Sequence, residues 1–256
     1  MKTDWPYPRV IAHRGGGSLA PENTLAAIRK GKELGFKGVE FDVMLAADSV
    51  PVLIHDETLE RTTNGKGAVA DAAWADLAAL DAGSWFGAAF AGEPVPSYAD
   101  AVRLCVELGL WANVEIKPAA GFERETGKVV AAMSAELWRA APVAPLLSSF
   151  SIDALEAAAA AAPGLRRGLL AEAIPEDWRD RLGQLGCVSL HCDHRHLTQA
   201  RAQAVKEAGY ALLCYTVNDP ATVRELYGWG VDAVVTDRID LIPPEREAPA
   251  RNPHPG

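Results

Sequence analysis

Cysteine is scarce and lacks any pattern. The four present, Cys105, Cys187, Cys192 and Cys214, show no C-x-x-C spacing. They read as core filling in a reducing compartment. No apolar run reaches the roughly 18 residues of a membrane span. The opening "MKTDWPYPRV" lacks the apolar core of a signal peptide, so the expectation is a soluble, cytoplasmic protein without stable membrane association. Positive charge is also short: the formal net charge is −9. That argues against general nucleic-acid binding, which needs a basic footprint. It leaves room for an anionic small molecule, because a few fixed cations or a metal reverse a local field.

What is present suffices for a large core. The 256 residues are 49% hydrophobic, and α/β barrels of this length are routinely one domain. Residues 1–242 are expected to form that domain, and the Pro-rich 243–256 a flexible tail. β-rich runs fall at 9–15, 38–45, 50–56, 111–117, 146–150, 167–171, 187–192, 211–217 and 233–237. Helical patterns lie between most of them, at 24–34, 98–108, 125–139, 152–161, 198–208 and 220–229. Asn23 reads as the N-cap of the first helix and Gly35 as its C-terminal stop. The alternation points to a parallel α/β architecture.

Nine strand runs compete for eight barrel positions. The gap after the second is too short for a crossover helix, so 38–56 is expected to be a hairpin turning near Asp48-Ser49. Pairing Leu45 with Pro51 would set His55 opposite Phe41, level with Glu40 and Asp42. The other eight runs make a (β/α)8 TIM barrel with a small insertion, 57–96, after the hairpin. Insertions at a barrel's C-terminal face commonly cap a site. A doubly wound sheet would want a clean G-x-G-x-x-G loop, which "HRGGGSLAPENT" does not supply.

Strand residues two apart share a face. Glu40 and Asp42 therefore point together, as do Glu115 and Lys117. Three carboxylates aimed into one buried mouth need neutralising. All-oxygen ligation suits Mg²⁺ or Ca²⁺; zinc sites favour more His or Cys. The plainer reading makes Glu115–Lys117 an ion pair and leaves Glu40 and Asp42 as solvated strand ends. His13 and His55 each end an apolar run. Two imidazoles beside a hard cation suit acid-base work near neutral pH, with His13 taken as base and His55 as acid, and the reverse left open. Arg14 offers a planar fork for phosphate and Lys117 a point charge. Tyr215 lines a substrate pocket or packs in the core. His191 is expected at the barrel mouth, His194 and His196 on an exposed loop. Asp237 reads as a cap or an anchor, and Trp85-Phe86 as a lid over the site or as the insertion's own core.

Together, "AHRGGGSLAPENT", "GVEFDVML", "VPVLIHDETLERTTNG", "NVEIKP", "LLSSF", "YTVN" and "VVTD" resemble the glycerophosphodiester phosphodiesterase family from about Trp5 to Ile242. Within it, "WPYPR", "DAGSW" and "ANVEIKP" look like the cytoplasmic branch that serves bacterial glycerol 3-phosphate uptake. The resemblance implies a divalent metal on Glu40, Asp42 and Glu115, His13 and His55 as the acid-base pair, and Arg14 and Lys117 near the phosphate. The implied partner is a small glycerophosphodiester. Tyr215 stands where many members carry Trp, which bears on head-group contacts. A lipid-acting phospholipase and a non-catalytic phosphodiester-binding barrel remain alternatives, and a homo-oligomer is left open.

Overall fold

The computed structural model describes residues 5–244. Its strands are β1 (Val10–Ala12), β2 (Gly38–Leu45), β3 (Pro51–Leu53), β4 (Trp111–Ile116), β5 (Leu146–Ser149), β6 (Arg166–Ala171), β7 (Ser189–Asp193), β8 (Ala211–Tyr215) and β9 (Ala233–Thr236). Eight of them pair in parallel in the order β1, β9, β8, β7, β6, β5, β4, β2, and a β1–β2 pairing at Ala12–Val39 closes the circle. This is the expected TIM barrel. β3 stands outside it, antiparallel to β2, with Leu45 opposite Pro51 as expected. The pairing stops at Leu53, so His55 sits just past the strand rather than in it.

Strand alternation sorts the side chains. One set faces the helices: Val39, Phe41 and Val43 of β2, Val114 and Ile116 of β4, Leu190 and Cys192 of β7, all buried. The other set faces inward. Ile11, Trp111, Leu146, Leu213, Ala233 and Val235 fill the barrel below the site. Tyr7 stacks on Trp111 with ring centroids 4.4 Å apart, and Trp5 meets both rings edge-on. All four cysteines are buried and free, as core filling requires.

The helices are α1 (Leu25–Glu33), α2 (Trp74–Leu77), α3 (Tyr98–Leu108), α4 (Glu123–Leu137), α5 (Ile152–Ala161), α6 (Trp178–Leu185), α7 (Gln199–Glu207) and α8 (Pro220–Gly228). Besides the short α2 within the insertion, two differ from the sequence expectation. α1 is capped by Thr24, whose hydroxyl accepts from the Ala27 amide, and not by Asn23. Asn23 takes a left-handed φ of 57°, which frees its side chain for a carboxylate. α6 was not foreseen, because "DWRDRLGQL" is mostly polar; it buries only Trp178, Leu182 and Leu185, a stripe at i, i+4 and i+7.

Residues 57–96 wrap a second small core. Leu59, Val69, Leu77, Ala82 and Val95 pack on Met44, Val52 and Ile54 of the hairpin. Trp85 and Phe86 belong to this insertion's own packing: Phe86 meets Trp85 and Phe90 edge-on, and the Trp85 indole donates to the Ala82 carbonyl. The expected tail lies, beyond its first two residues, outside the described residues.

Candidate active site

The C-terminal ends of the strands open onto a cavity of about 530 Å³. His13, Arg14, Glu40, Asp42, His55, Glu115, Lys117 and Tyr215 all line it. Neither Trp85 nor Phe86 does, so the apolar rim that a lipid-acting enzyme would want is not built from them.

Glu40 and Asp42 come from β2, and the register sets Asp42 directly beside Glu115 of β4. One carboxylate oxygen from each lies within 4.8 Å of the others. Glu40 is 4% exposed and Asp42 2%. Burial, then Asp42 and Glu115, drives the Glu40 carboxyl well above the usual range. Burial, then Asp42, lifts Glu115 to about 8. Asp42 goes the other way. Its burial opposes ionisation, but Arg14, Lys117 and His55 outweigh that and hold it low. Asn23 reads Asp42 twice: its amide nitrogen donates to Oδ2 at 2.8 Å, and its carbonyl accepts the Asp42 backbone N–H at 3.0 Å. Three converging buried carboxylates, two of them unwilling to ionise alone, fit a hard dication with oxygen ligands.

Two cations flank the cluster. Lys117 Nζ lies 3.7 Å from both Asp42 and Glu115. Arg14 donates its backbone N–H to Glu40 at 3.0 Å, and its guanidinium lies 3.5 Å from Asp42 and 2.6 Å from Glu22. Burial works against the Arg14 charge, yet Asp42, Glu22 and Glu40 raise its pKa. The glycines behind Arg14 serve packing: a Cβ on Gly17, whose φ is 53°, would overlap the Asp237 carbonyl.

Both histidines are held by Nδ1. The His13 nitrogen lies 2.6 Å from Asp237 Oδ1, and the His55 nitrogen 2.6 Å from Asp56 Oδ1. A carboxylate on Nδ1 keeps the proton there and leaves Nε2 for chemistry. His13 Nε2 lies 3.8 Å from Glu40. Burial, helped by Arg14 and Lys117 against Asp42, lowers the His55 pKa. Each anchor is itself anchored. Asn218 donates to Asp237 at 3.0 Å. Arg61, from the insertion, donates to both Asp56 oxygens and to both Glu22 oxygens. Asp237 thus acts as an anchor rather than a cap. Glu22, Asn23, Asp56 and Arg61 carry roles the sequence did not disclose.

The remaining candidates sit differently from expectation. Tyr215 donates its hydroxyl to the Ala171 carbonyl at 2.8 Å, so it offers the cavity a ring, packed edge-on against Phe150. His191 is not at the mouth: it is fully buried and lines the cavity from below, because Leu170 and Leu213 are its register partners deep in the barrel. His194 is half-buried and lines the wall, while His196 is exposed.

A model of the glycerophosphoryl diester phosphodiesterase family matches residues 13–241. A glycerophosphodiester phosphodiesterase of Caldanaerobacter subterraneus subsp. tengcongensis is 35% identical over 238 residues, 91% of this chain and 95% of that protein. An Oleispira antarctica phosphodiesterase, solved in complex with the product sn-glycerol-3-phosphate, superposes with a TM-score of 0.85 at 40% identity, covering 90% of this chain and 93% of that one. A glycerophosphodiester phosphodiesterase of Thermotoga maritima gives 0.72 at 26% identity, covering 92% and 96%. Spanning nearly the whole described barrel, these matches show that the chain belongs to the glycerophosphoryl diester phosphodiesterase family.

Proposed function

We propose that this protein hydrolyses glycerophosphodiesters to glycerol 3-phosphate and an alcohol such as choline, ethanolamine or glycerol. One observation carries the reading: two histidines, each anchored through Nδ1 by an aspartate, line one cavity with a buried carboxylate trio. Binding alone does not call for two poised imidazoles. Glu40, Asp42 and Glu115 would hold Mg²⁺ or Ca²⁺. When bound, such a dication polarises a phosphoryl oxygen and steadies charge that grows in the transition state.

The chain's own residues supply the rest. Arg14 and Lys117 draw the diester anion into an otherwise acidic mouth. His55, kept neutral by burial and nearby cations, takes a proton at Nε2 from the attacking hydroxyl; this reverses the roles first assigned from sequence. His13, oriented at Nδ1 by Asp237, gives a proton from Nε2 to the leaving alkoxide. One P–O bond forms to the attacking oxygen and one breaks to the alcohol. The attacking hydroxyl is water, or the glycerol 2-hydroxyl followed by water. The Tyr215 ring borders the alcohol.

Residues 1–242 would act as one catalytic unit, with 57–96 contributing Arg61 to it. The cytoplasm is the proposed location. Among the described residues no helix is long and apolar enough to cross a membrane. The test is release of glycerol 3-phosphate from glycerophosphocholine, with chelator and with each metal restored. His13→Ala and His55→Ala should each lose on the order of 10²–10⁴ in rate while remaining folded. No release from any water-soluble glycerophosphodiester, with either metal, would defeat the proposal.

A further inference from the structure

Beneath the carboxylates the barrel is polar where packing alone would make it apolar. Asn113 of β4 is 2% exposed, Ser148 of β5 and His191 of β7 are fully buried. All three share the inward face of their strands with established lining or core residues: Asn113 with Glu115, Ser148 with Leu146, His191 with Ser189 and Asp193. Each carries a buried atom without a hydrogen-bond partner: Asn113 Oδ1, Ser148 Oγ and His191 Nδ1. Buried polar atoms are nearly always paired, so two orphans on one cavity wall point to something that completes them. Asn113 and His191 line the same cavity as the catalytic candidates.

The floor is also built with care. Ser189 Oγ holds His191 Nε2 at 2.9 Å, which leaves Nδ1 as the free atom. Gly168 makes room for this pair; a Cβ there would come within 2.5 Å of His191 Nε2 and 2.7 Å of Ser189 Oγ. Burial drops the His191 pKa to about 3, so the ring stays neutral. A neutral imidazole and an amide carbonyl suit a group that both donates and accepts, and carries no charge.

We propose that Asn113 and His191 form a hydroxyl subsite for the terminal CH₂OH of the substrate's glycerol unit. This rests on the function proposed above and extends it to specificity. The closed end of a pocket fits the part of the substrate that never varies. The open end, where Phe150 is 49% exposed and Arg195 stands at the rim, fits alcohols that differ. The subsite selects glycerol diesters over diesters of shorter or deoxygenated diols, because an analogue without the hydroxyl leaves the floor unpaired.

The test is a substrate–mutant cycle on the metal-supplemented enzyme. Glycerophosphocholine is compared with the analogue bearing CH₃ in place of the terminal CH₂OH, which keeps the 2-hydroxyl. The wild type should prefer the parent by on the order of 10² in kcat/KM, the effect of leaving buried polar atoms unpaired. Asn113→Ala and His191→Gln should each shrink that preference by tenfold or more, losing rate on the parent and little on the analogue. Equal turnover of both substrates by the wild type, which needs no variant to fold, overturns the subsite and leaves the proposed function standing. So does an undiminished preference in both variants. Failure of the wild type on the parent itself overturns the function and this inference together.

Discussion

Loading the carboxylate trio with a dication should expel protons, and the structure sets how many. Glu115 sits at about 8 in the folded protein, through burial and the neighbouring Asp42, against an ordinary 4.5. At pH 7 it is then about 90% protonated. A bound dication needs the ionised form, so Glu115 alone releases nearly one proton. Glu40 is pushed up as well, by burial and by both other carboxylates, and adds to the release in the same direction. Glu115 is roughly 1% ionised at pH 6 and half ionised at pH 8, so cation affinity should climb ~50-fold between them from this group alone. Titration calorimetry of the chelator-treated protein with Mg²⁺, in buffers of different ionisation enthalpy, reads the proton count directly.

Stability follows the same linkage. The folded state holds a proton on Glu115 that the unfolded chain lets go above about pH 4.5. That contribution is full below 4.5 and drains away as pH rises through about 8. The Tm of chelated protein should therefore fall from pH 5 to pH 8, and added Mg²⁺ should oppose the fall. A cation affinity flat between pH 6 and 8, with no proton released, would refute the electrostatic account of the trio.

Two further substitutions separate positioning from chemistry. Asp237→Asn removes the carboxylate 2.6 Å from His13 Nδ1 while keeping its shape; kcat should fall by roughly 10²–10⁴, with cation affinity unchanged in the same calorimetry. Arg61→Ala frees Asp56 and Glu22 together; turnover should drop roughly 10–100-fold with a Tm change small enough to exclude unfolding.

The barrel was legible because its evidence is local. Inward and outward residues alternate within each strand, and "GVEFDVML" displays both faces in eight letters. The same alternation puts Glu40 with Asp42 and Glu115 with Lys117 before any contact is known. What stayed hidden depends on distance along the chain. Arg61 reaches Glu22 across 39 residues, and His13 reaches Asp237 across 224; no periodicity carries such pairings. Asn23 misled because its residue type favours caps, and only its left-handed backbone shows that Thr24 has taken that role. α6 escaped because three buried residues among charged neighbours make a faint stripe. His191 was placed too high, since the depth at which a strand's end meets the cavity is set by the register of its neighbours.

The charges of the site give one more consequence. Three carboxylates face two cations, Arg14 and Lys117, an excess of one negative charge that would repel a phosphodiester anion. The proton that Glu115 holds at pH 7 cancels that excess, and one dication turns it positive. On the proposed mechanism, protons and metal both relieve the repulsion but only the metal serves catalysis, because a proton on Glu115 offers no Lewis acid to a phosphoryl oxygen. Chelated protein at pH 7 should therefore still bind glycerophosphoglycerol, whose single charge sits on phosphate, while turning none of it over. At pH 9.5, above the value of about 8 for Glu115, the same protein should bind it at least roughly tenfold more weakly, and Mg²⁺ should restore binding. Calorimetry at the two pH values, with and without chelator, decides the matter: equal affinity in chelator at pH 7 and 9.5 would mean that the trio's protons do not govern anion entry.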